Sequence, residues 1–573
     1  MKRVALTAAL VAAVAVWGLS LPPRRTMLSP GAGDGAVRGL LHVHSRASDG
    51  RGTLDDIAAA AARAGLRFVV VTDHGDGTRL PEDPAYRSGV LIIDAVEIST
   101  RGGHYVALGL RKTPYPLGGE PADVVDDVRR LGGMGIAAHP DSPKAELRWR
   151  DWQAPLDGVE LINPDTSWRV HAFTDDGSRW LLLRTLLGYA VRPSEAVAGV
   201  LTESNQLRAQ WLALTADRPV VAIAGADAHA KLALRDAEPG DNRFSIPIPS
   251  YDSSFESLSV HVTPGRPLTG DAAGDSAAVL DGIRRGHVYV AVDGWASPPS
   301  FSFTATSGAA QAAAGDTLLV SGPVAMHVRS NAPAGYVTML RRGADVVTER
   351  GEPSFDIDVG STPGTYTVEV RRPMSEGMPP WLTSNPIYVR AVPWPARREE
   401  PAASAADGGQ PLFDGRTTAG WSYEADPSSV AAVDVAPFVD GSRVRLRYGL
   451  AGGSLAGQYS AAAVDVPAGA GDFDGVAFSA RADAPMRISV QVRAEVKGAP
   501  PERWERSVYV DATEALRFVR FADMVPVGRT HEARPPRRDV RAVMFVVDTT
   551  NTKPGASGHL WIGRPRLANG ARP

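Results

Sequence analysis

An α/β domain followed by two all-β sandwich domains is the fold class that the sequence predicts, and three observations predict it. Between about residues 38 and 292, short β-rich runs alternate with helix-like stretches. From 298 to 391 the helical stretches stop, and alternating segments such as "VAMHVRS" and "GTYTVEVRR" are separated by Gly and Pro. After a Pro-, Ala- and Glu-rich linker at 392–410, the block 411–570 again reads as strands only. Strands alternating with helices imply parallel βαβ units, in an open sheet or a barrel. Short alternating strands between turn residues imply sandwiches, the last of them jelly-roll-like. A chain of 573 residues is long enough for several such cores.

Residues 1–30 open with two basic residues and a mostly apolar run from Val4 to Leu21, followed by Pro22, Pro23, Arg24 and Arg25. This pattern reads as a signal peptide, with Gly18-x-Ser20 the better cleavage site, or as an uncleaved membrane anchor near the lower length limit for spanning. Both readings put the remaining domains outside the cytoplasm: periplasmic, extracellular, or membrane-anchored and facing outward. The absence of cysteine excludes disulfides and thiolate metal sites, so any metal must be held by nitrogen and oxygen. A formal charge of -3 gives no bulk attraction for nucleic acid.

Within 38–292 the apolar runs "LLHVHSRASDG", "RFVVVTDH", "VLIIDAVEIS", "HYVALGL", "GIAAHP" and "VVAIAGADAH" carry the chemistry at or beside their ends. Six histidines sit there: His42, His44, His74, His104, His139 and His229. His42 and His44 are two apart, so on a regular strand they project to one face. Asp49, Glu97 and Asp227 share the placement, and Asp227 and His229 repeat the two-residue spacing. Nine nitrogen and oxygen donors of this kind can satisfy two or three first-row divalent ions, for which zinc, manganese and iron are all suitable. His171, in "SWRVHAF", lies apart from the set and reads as an ordinary structural histidine.

In the order "HVHSRASDG", "VTDHGD", "AVEIS", "GGHYVALGL", "AAHP" and "GADAHA", the chain resembles the PHP family, named for polymerase and histidinol phosphatase. The resemblance covers roughly residues 38–292. It implies a distorted seven-stranded (β/α) barrel with two or three metals at its mouth. It implies further that His42, His44, Glu97 and Asp227 hold one ion, that Glu97 bridges to a second held by His104 and His139, and that Asp49, His74 and His229 hold a third. Glu97, Asp227 and His229 are the candidate catalytic residues. The "HVHSxxSDGxGT" form, together with "SNPIYVRAV" near the end of the second domain, is most similar in style to the exported branch that includes carbaryl-type hydrolases.

The expected function is therefore an exported multinuclear metal-dependent hydrolase acting on a small-molecule ester, a phosphoesterase first. Metal ions about 3.5 to 4 Å apart can share and activate a water, so a metal-bridging hydroxide is the expected nucleophile. A carbamate or carboxyl ester is the alternative substrate at the same site. A non-catalytic surface-binding protein is the reading from another class, and nine polar groups converging on one pocket argue against it. Asp73 is expected to orient a ligand or to cap a turn, and Arg46 and Lys144 to meet an anionic substrate or merely to be solvated. The Gly-rich stretches "GDGAVRG" and "YPLGGEPAD" read as plain loops. Trp421, Trp504 and Trp561 are expected in the core of the last domain, with a glycan-contacting platform as the rival reading.

Overall fold

A computed structural model describes residues 17–18, 21–29, 35–233, 243, 245–395, 408–453 and 457–570. The N-terminal run up to Val16 and the linker from 396 to 407 lie outside the described residues. No helix among the described residues is long and apolar enough to cross a membrane. The chain forms two compact units, one of Met1–Arg111 with Val124–Trp394, the other of Lys112–Asp123 with Pro395–Pro573.

The first unit is built on a closed barrel. Val37–Val43, Phe68–Val71 and Val90–Asp94 are parallel neighbours. Met134–Ala138, Gly158–Ile162 and Val221–Ala228 are parallel too, and the last returns to Val37–Val43 to close the ring. Their side chains, among them Leu41, Val70, Ile93, Ile136 and Ile223, fill a continuous core. The strict strand–helix alternation expected from the sequence fails between Val96 and Leu108. There, Val96–Thr100 turns directly into Gly103–Leu108, which runs antiparallel to both neighbours. Because that strand is reversed, His104 at its start lies at the same end of the barrel as the carboxyl ends of the parallel strands. "GDGAVRG" is not wholly a loop either: Val37, Arg38 and Gly39 belong to the first strand. A Cβ at Gly39 would come within 2.3 Å of the Phe68 ring.

Helices pack outside this ring and begin where their sequences say they should. Thr53 caps Leu54–Arg63 in a reciprocal capping box with Asp56, satisfying backbone donors at both positions. Asn163 caps Pro164–Phe173, with proline at the first helical position.

Where the sequence suggests a boundary near 292–298, hydrogen bonds run straight across. Val288–Ala291 pairs with Leu382–Ser384, so the barrel sheet continues into the strands Val337–Arg342, Gly364–Arg371 and Ile387–Arg390. These face a four-stranded sheet that includes Phe301–Ser307 and Val324–Ser330. "SNPIYVRAV" explains the fusion. Asn385 accepts from the Ala222 amide at 2.8 Å and donates to the carbonyls of Ala222 and Val288, and the Tyr388 hydroxyl accepts from the Val220 amide.

The second unit is a sandwich of two six-stranded antiparallel sheets. Trp504 is fully buried in its core, and its indole N–H donates to the Glu532 carbonyl. Trp421 stacks on Phe545, and Trp561 carries the Arg481 guanidinium 4.4 Å over its ring. Any glycan contact by this unit would use residues other than Trp504. The segment read as a plain loop, "YPLGGEPAD", is held within this unit: Asn551 donates to the carbonyls of Pro116 and Gly118, and Asp123 meets Arg487 and Arg506.

Candidate metal centre

All nine nominated residues meet at one end of the barrel, around Glu97. Its carboxylate contacts five imidazoles. Oε1 lies 2.8 Å from His104 Nδ1 and 2.9 Å from His139 Nε2, and Oε2 lies 3.2 Å from His42 Nε2, 3.2 Å from His44 Nε2 and 3.3 Å from His74 Nδ1. Asp227 Oδ1 adds contacts to His42 at 3.5 Å and His44 at 3.6 Å. Asp49 meets His229 at 3.0 Å, His44 at 3.5 Å and His74 at 3.8 Å. Among the described residues, donor atoms close enough together to surround one ion occur in four overlapping groups: His44, Asp49, His74 and His229; His42, His139 and Asp227; His42, His44 and Glu97; and His74, Glu97 and His104.

The backbone aims these groups by distortion rather than by plain alternation. His42 has φ 63°, His139 φ 31° and Asp227 φ 48°, a region that side chains other than glycine rarely enter. The register of Val37–Val43 slips between Leu40 and Val43 on one side, and its partner strand slips between Gly225 and Ala228 on the other. A bulge of this kind re-aims a side chain, and it is a bulged strand, not a regular one, that brings the His42 and His44 ring centroids to 5.1 Å. Asp227 is the next-to-last residue of Val221–Ala228 and His229 follows that strand, with His229 Nδ1 2.9 Å from the Asp227 carbonyl. Backbone strain of this sort collects at functional sites.

Two residues not singled out from sequence complete the site. Glu160, fully buried on Gly158–Ile162, lies 2.5 Å from His42 Nδ1 and accepts from the His139 amide at 2.7 Å and from Asn163 Nδ2 at 3.0 Å. Asn163 also reaches Asp227 Oδ2 at 3.4 Å. Accepting at Nδ1 fixes the His42 tautomer and leaves Nε2 facing Glu97 and Asp227. Glu160 needs Gly225 opposite it, since a Cβ there would come 2.0 Å from its Oε1. The available signal in the sequence was an acid inside the otherwise apolar run "GVELIN".

Asp73 does more than cap its own turn: its carbonyl accepts from the Glu97 amide at 3.3 Å. Its carboxylate oxygens accept from the Ser45 amide at 2.8 Å and from the Ser45 and Ser48 hydroxyls, each at 2.6 Å, which clamps the loop that carries Asp49. His171 is satisfied at both nitrogens, by the Val200 carbonyl and the Ser178 amide, as expected of a structural histidine. Lys144 is paired with Glu146 in solvent. Arg46 is exposed and lines a charged cavity behind the Ser45–Asp49 loop, together with Arg79, Arg87 and Asp94.

Electrostatics follow from packing carboxylates and imidazoles out of water. Burial alone would raise Glu97, but the charge of His42 and the hydrogen bonds from His104 and His139 hold it well below the usual carboxylate range. Burial would lower His139, and its hydrogen bond and charge interaction with Glu97 override this, leaving it at about 9. His229 is likewise lowered by burial and carried up to about 9 by Asp49 and Asp227. His44 goes the other way, to about 4, through burial and the neighbouring His229. Neither ring nitrogen of buried His44 has a hydrogen-bond partner of proper geometry. Leaving two buried nitrogens unsatisfied is costly, and a neutral imidazole with open nitrogens is the form that binds a metal. The donor set therefore fits divalent ions.

Beside Asp227 and His229 opens a cavity whose walls include Trp168, Leu186, Tyr189 and Ile248, with Lys231 among them.

No protein-family model matches the chain. An uncharacterized protein of Methanocaldococcus jannaschii is 32% identical over 114 residues, which are 19% of this chain and 64% of that protein, so the chain spans less than two thirds of that relative. Among solved structures, a two-domain protein from Bacteroides vulgatus containing a predicted PHP-like metal-dependent phosphoesterase is 13% identical, with 64% of this chain and 99% of that one covered at a TM-score of 0.27. A family 11 carbohydrate-binding module from Clostridium thermocellum is 14% identical, with 29% of this chain and 98% of that one covered at a TM-score of 0.24. Likenesses this distant leave the reading of the site to its own geometry.

Proposed function

We propose that the chain is a metal-dependent hydrolase of the PHP type, exported or tethered by its N-terminal run, that cleaves a small-molecule ester, with a phosphoester first. One observation carries this reading: a single buried carboxylate, Glu97, met by five imidazoles, one of which, His44, has no hydrogen-bond partner of proper geometry for either nitrogen. A folded protein gains nothing structural from such an excess of donors. Two or three divalent ions, of zinc, manganese or iron, would be held by His42, His44, Asp49, His74, Glu97, His104, His139, Asp227 and His229. The closed ring of strands supports the seven-stranded barrel that the family resemblance implies.

Bound ions would activate a water and stabilise negative charge on the ester oxygens. The chain's own residues do the rest. Glu160 holds the His42 tautomer, Asp73 fixes the loop of Asp49, and Glu97, whose two oxygens divide the histidines into two sets, sets the spacing between them. Asp227 and His229 face the cavity, where substrate would approach, and Lys231 offers a cation to an anionic group.

The apolar walls of that cavity favour, as a second reading, a carbamate or carboxyl ester with an apolar substituent, in line with the similarity in style to carbaryl-type hydrolases. Glycan contact by the C-terminal sandwich is a separate proposal resting on its all-β pattern, and retention of the full chain on insoluble polysaccharide tests it. The activity is tested by assaying the full chain, reconstituted with each metal, on aryl phosphomonoesters, phosphodiesters and N-methylcarbamates. Metal-dependent turnover of at least one class is expected, lost on chelation. A metal-loaded chain that turns over none of them would move the assignment to a binding protein.

A further inference from the structure

The helix Arg179–Tyr189, "RWLLLRTLLGY", is apolar around most of its circumference. Leu182 and Gly188 are buried against the barrel unit. On the outside, Trp180, Leu183, Leu186 and Leu187, with Phe173 before the helix and Val191 after it, are between 41% and 73% exposed. Trp180, Leu183 and Leu187 follow a three-and-four spacing and so form one stripe. A helix with apolar residues on all sides belongs in a setting where every side is covered, and a contiguous apolar patch marks a contact surface.

Trp17, which belongs to the N-terminal apolar run, lies against this helix. The Trp17 indole N–H donates to the Leu187 carbonyl at 3.1 Å, and the Pro22 carbonyl accepts from the Arg192 guanidinium. Pro22 lies so close that a Cβ on Gly188 would come within 2.8 Å of its ring. From there the chain is fixed to the barrel unit: the Arg25 amide donates to Glu195, and Thr26 and Met27 pair with Ala296 and Ser297. A chain leaving a bilayer at Leu21 therefore has no slack before it meets Gly188, and the exposed face of the helix is drawn against the surface it leaves.

We propose that the outer face of Arg179–Tyr189, with Phe173 and Val191, rests on the lipid bilayer that the N-terminal run enters. The proposal rests on the tethered reading of that run. Trp180 suits the position, because an indole combines an apolar body with a polar N–H and favours the membrane interface. The face also adjoins the substrate side of the metal centre: Thr185, Leu186 and Tyr189 of this helix line the cavity that contains Asp227 and His229. An ester dissolved in the bilayer would reach the centre from this side.

The chain has no cysteine, so single labels are specific. Leu183→Cys, and Val346→Cys on an exposed strand of the same unit as a comparison, are each labelled with an NBD probe in the full chain and mixed with phosphatidylcholine–phosphatidylglycerol vesicles, with and without spin-labelled lipid. The probe at 183 is expected to shift to the blue on vesicle binding and to be quenched by spin-labelled lipid severalfold more than the probe at 346. If the chain floats with vesicles but the probe at 183 is quenched no more than that at 346, the docking face is wrong while the tether stands. A probe at 183 already blue-shifted without lipid would mean that the N-terminal run or a second copy covers the face, which also overturns the proposal. Failure of the full chain to float would remove the tether and the proposal together, leaving the hydrolase reading to its own assay.

Discussion

His327 in the sandwich that continues from the barrel meets Asp356 at 2.8 Å, and His559 in the C-terminal sandwich meets Asp483 at 2.9 Å, each with one carboxylate and each partly in solvent. At the barrel mouth the ratio inverts, with five imidazoles on Glu97 alone and all but His74 largely out of water. The first arrangement is an ordinary surface ion pair, worth little to stability. The second costs desolvation of every member and is not balanced pair by pair. A region that gathers five imidazoles around one buried carboxylate offers the donors that a divalent ion would take.

The largest effect should come from breaking that ratio at its centre. Glu97→Gln keeps the shape but removes the charge shared by five rings, and hydrolysis of whichever ester the substrate panel identifies should fall to background. Glu160→Gln should do less: the partner of His42 Nδ1 loses its charge but keeps an oxygen, and changes to such orienting groups typically cost about 10- to 100-fold in metal affinity or activity. Asp73→Asn should fall in the same range, through loosening of the loop of Asp49, and metal titration of both variants separates lost affinity from lost turnover.

The same comparison was only partly legible in the sequence. Histidines and acids at the ends of successive apolar runs name the nine donors, because a buried strand rarely ends in such residues without a use for them. Glu160 was hidden because its partner His42 becomes a neighbour only when Gly158–Ile162 and Val37–Val43 are brought into one barrel. The bulge and positive φ at His42 were hidden because nothing in "LLHVHS" differs from a regular strand. The reversed strand Gly103–Leu108 reads in the sequence as one more member of the parallel set, since its apolar run carries no mark of direction. The fusion of barrel and sandwich depends on hydrogen bonds of Asn385 to residues far earlier in the chain, which no local pattern encodes.

A medium-sized effect is expected from pH. In the metal-free chain His139 and His229 titrate at about 9, above the ordinary 6.5, because carboxylates hold their charged forms. Their contribution to stability is complete below about 6.5 and lost as pH rises through about 9. A metal requires the neutral rings, so its affinity should rise with pH over the same window, and binding near neutrality should release protons. Calorimetric titration in two buffers of different ionisation enthalpy reads that release, and identical apparent enthalpies would contradict it. The smallest effect belongs to the surface pair: His327→Gln should leave metal affinity unchanged and shift stability by no more than about 0.5 kcal/mol in thermal unfolding.

Elemental analysis of the full chain after reconstitution and removal of free metal, with Glu97→Gln measured alongside, tests the central claim most directly. Two or three ions per wild-type chain, and fewer in the variant, is the predicted result. Less than one ion per wild-type chain, or a variant that holds as many as the wild type, would contradict the account of Glu97 as the group around which the site is built.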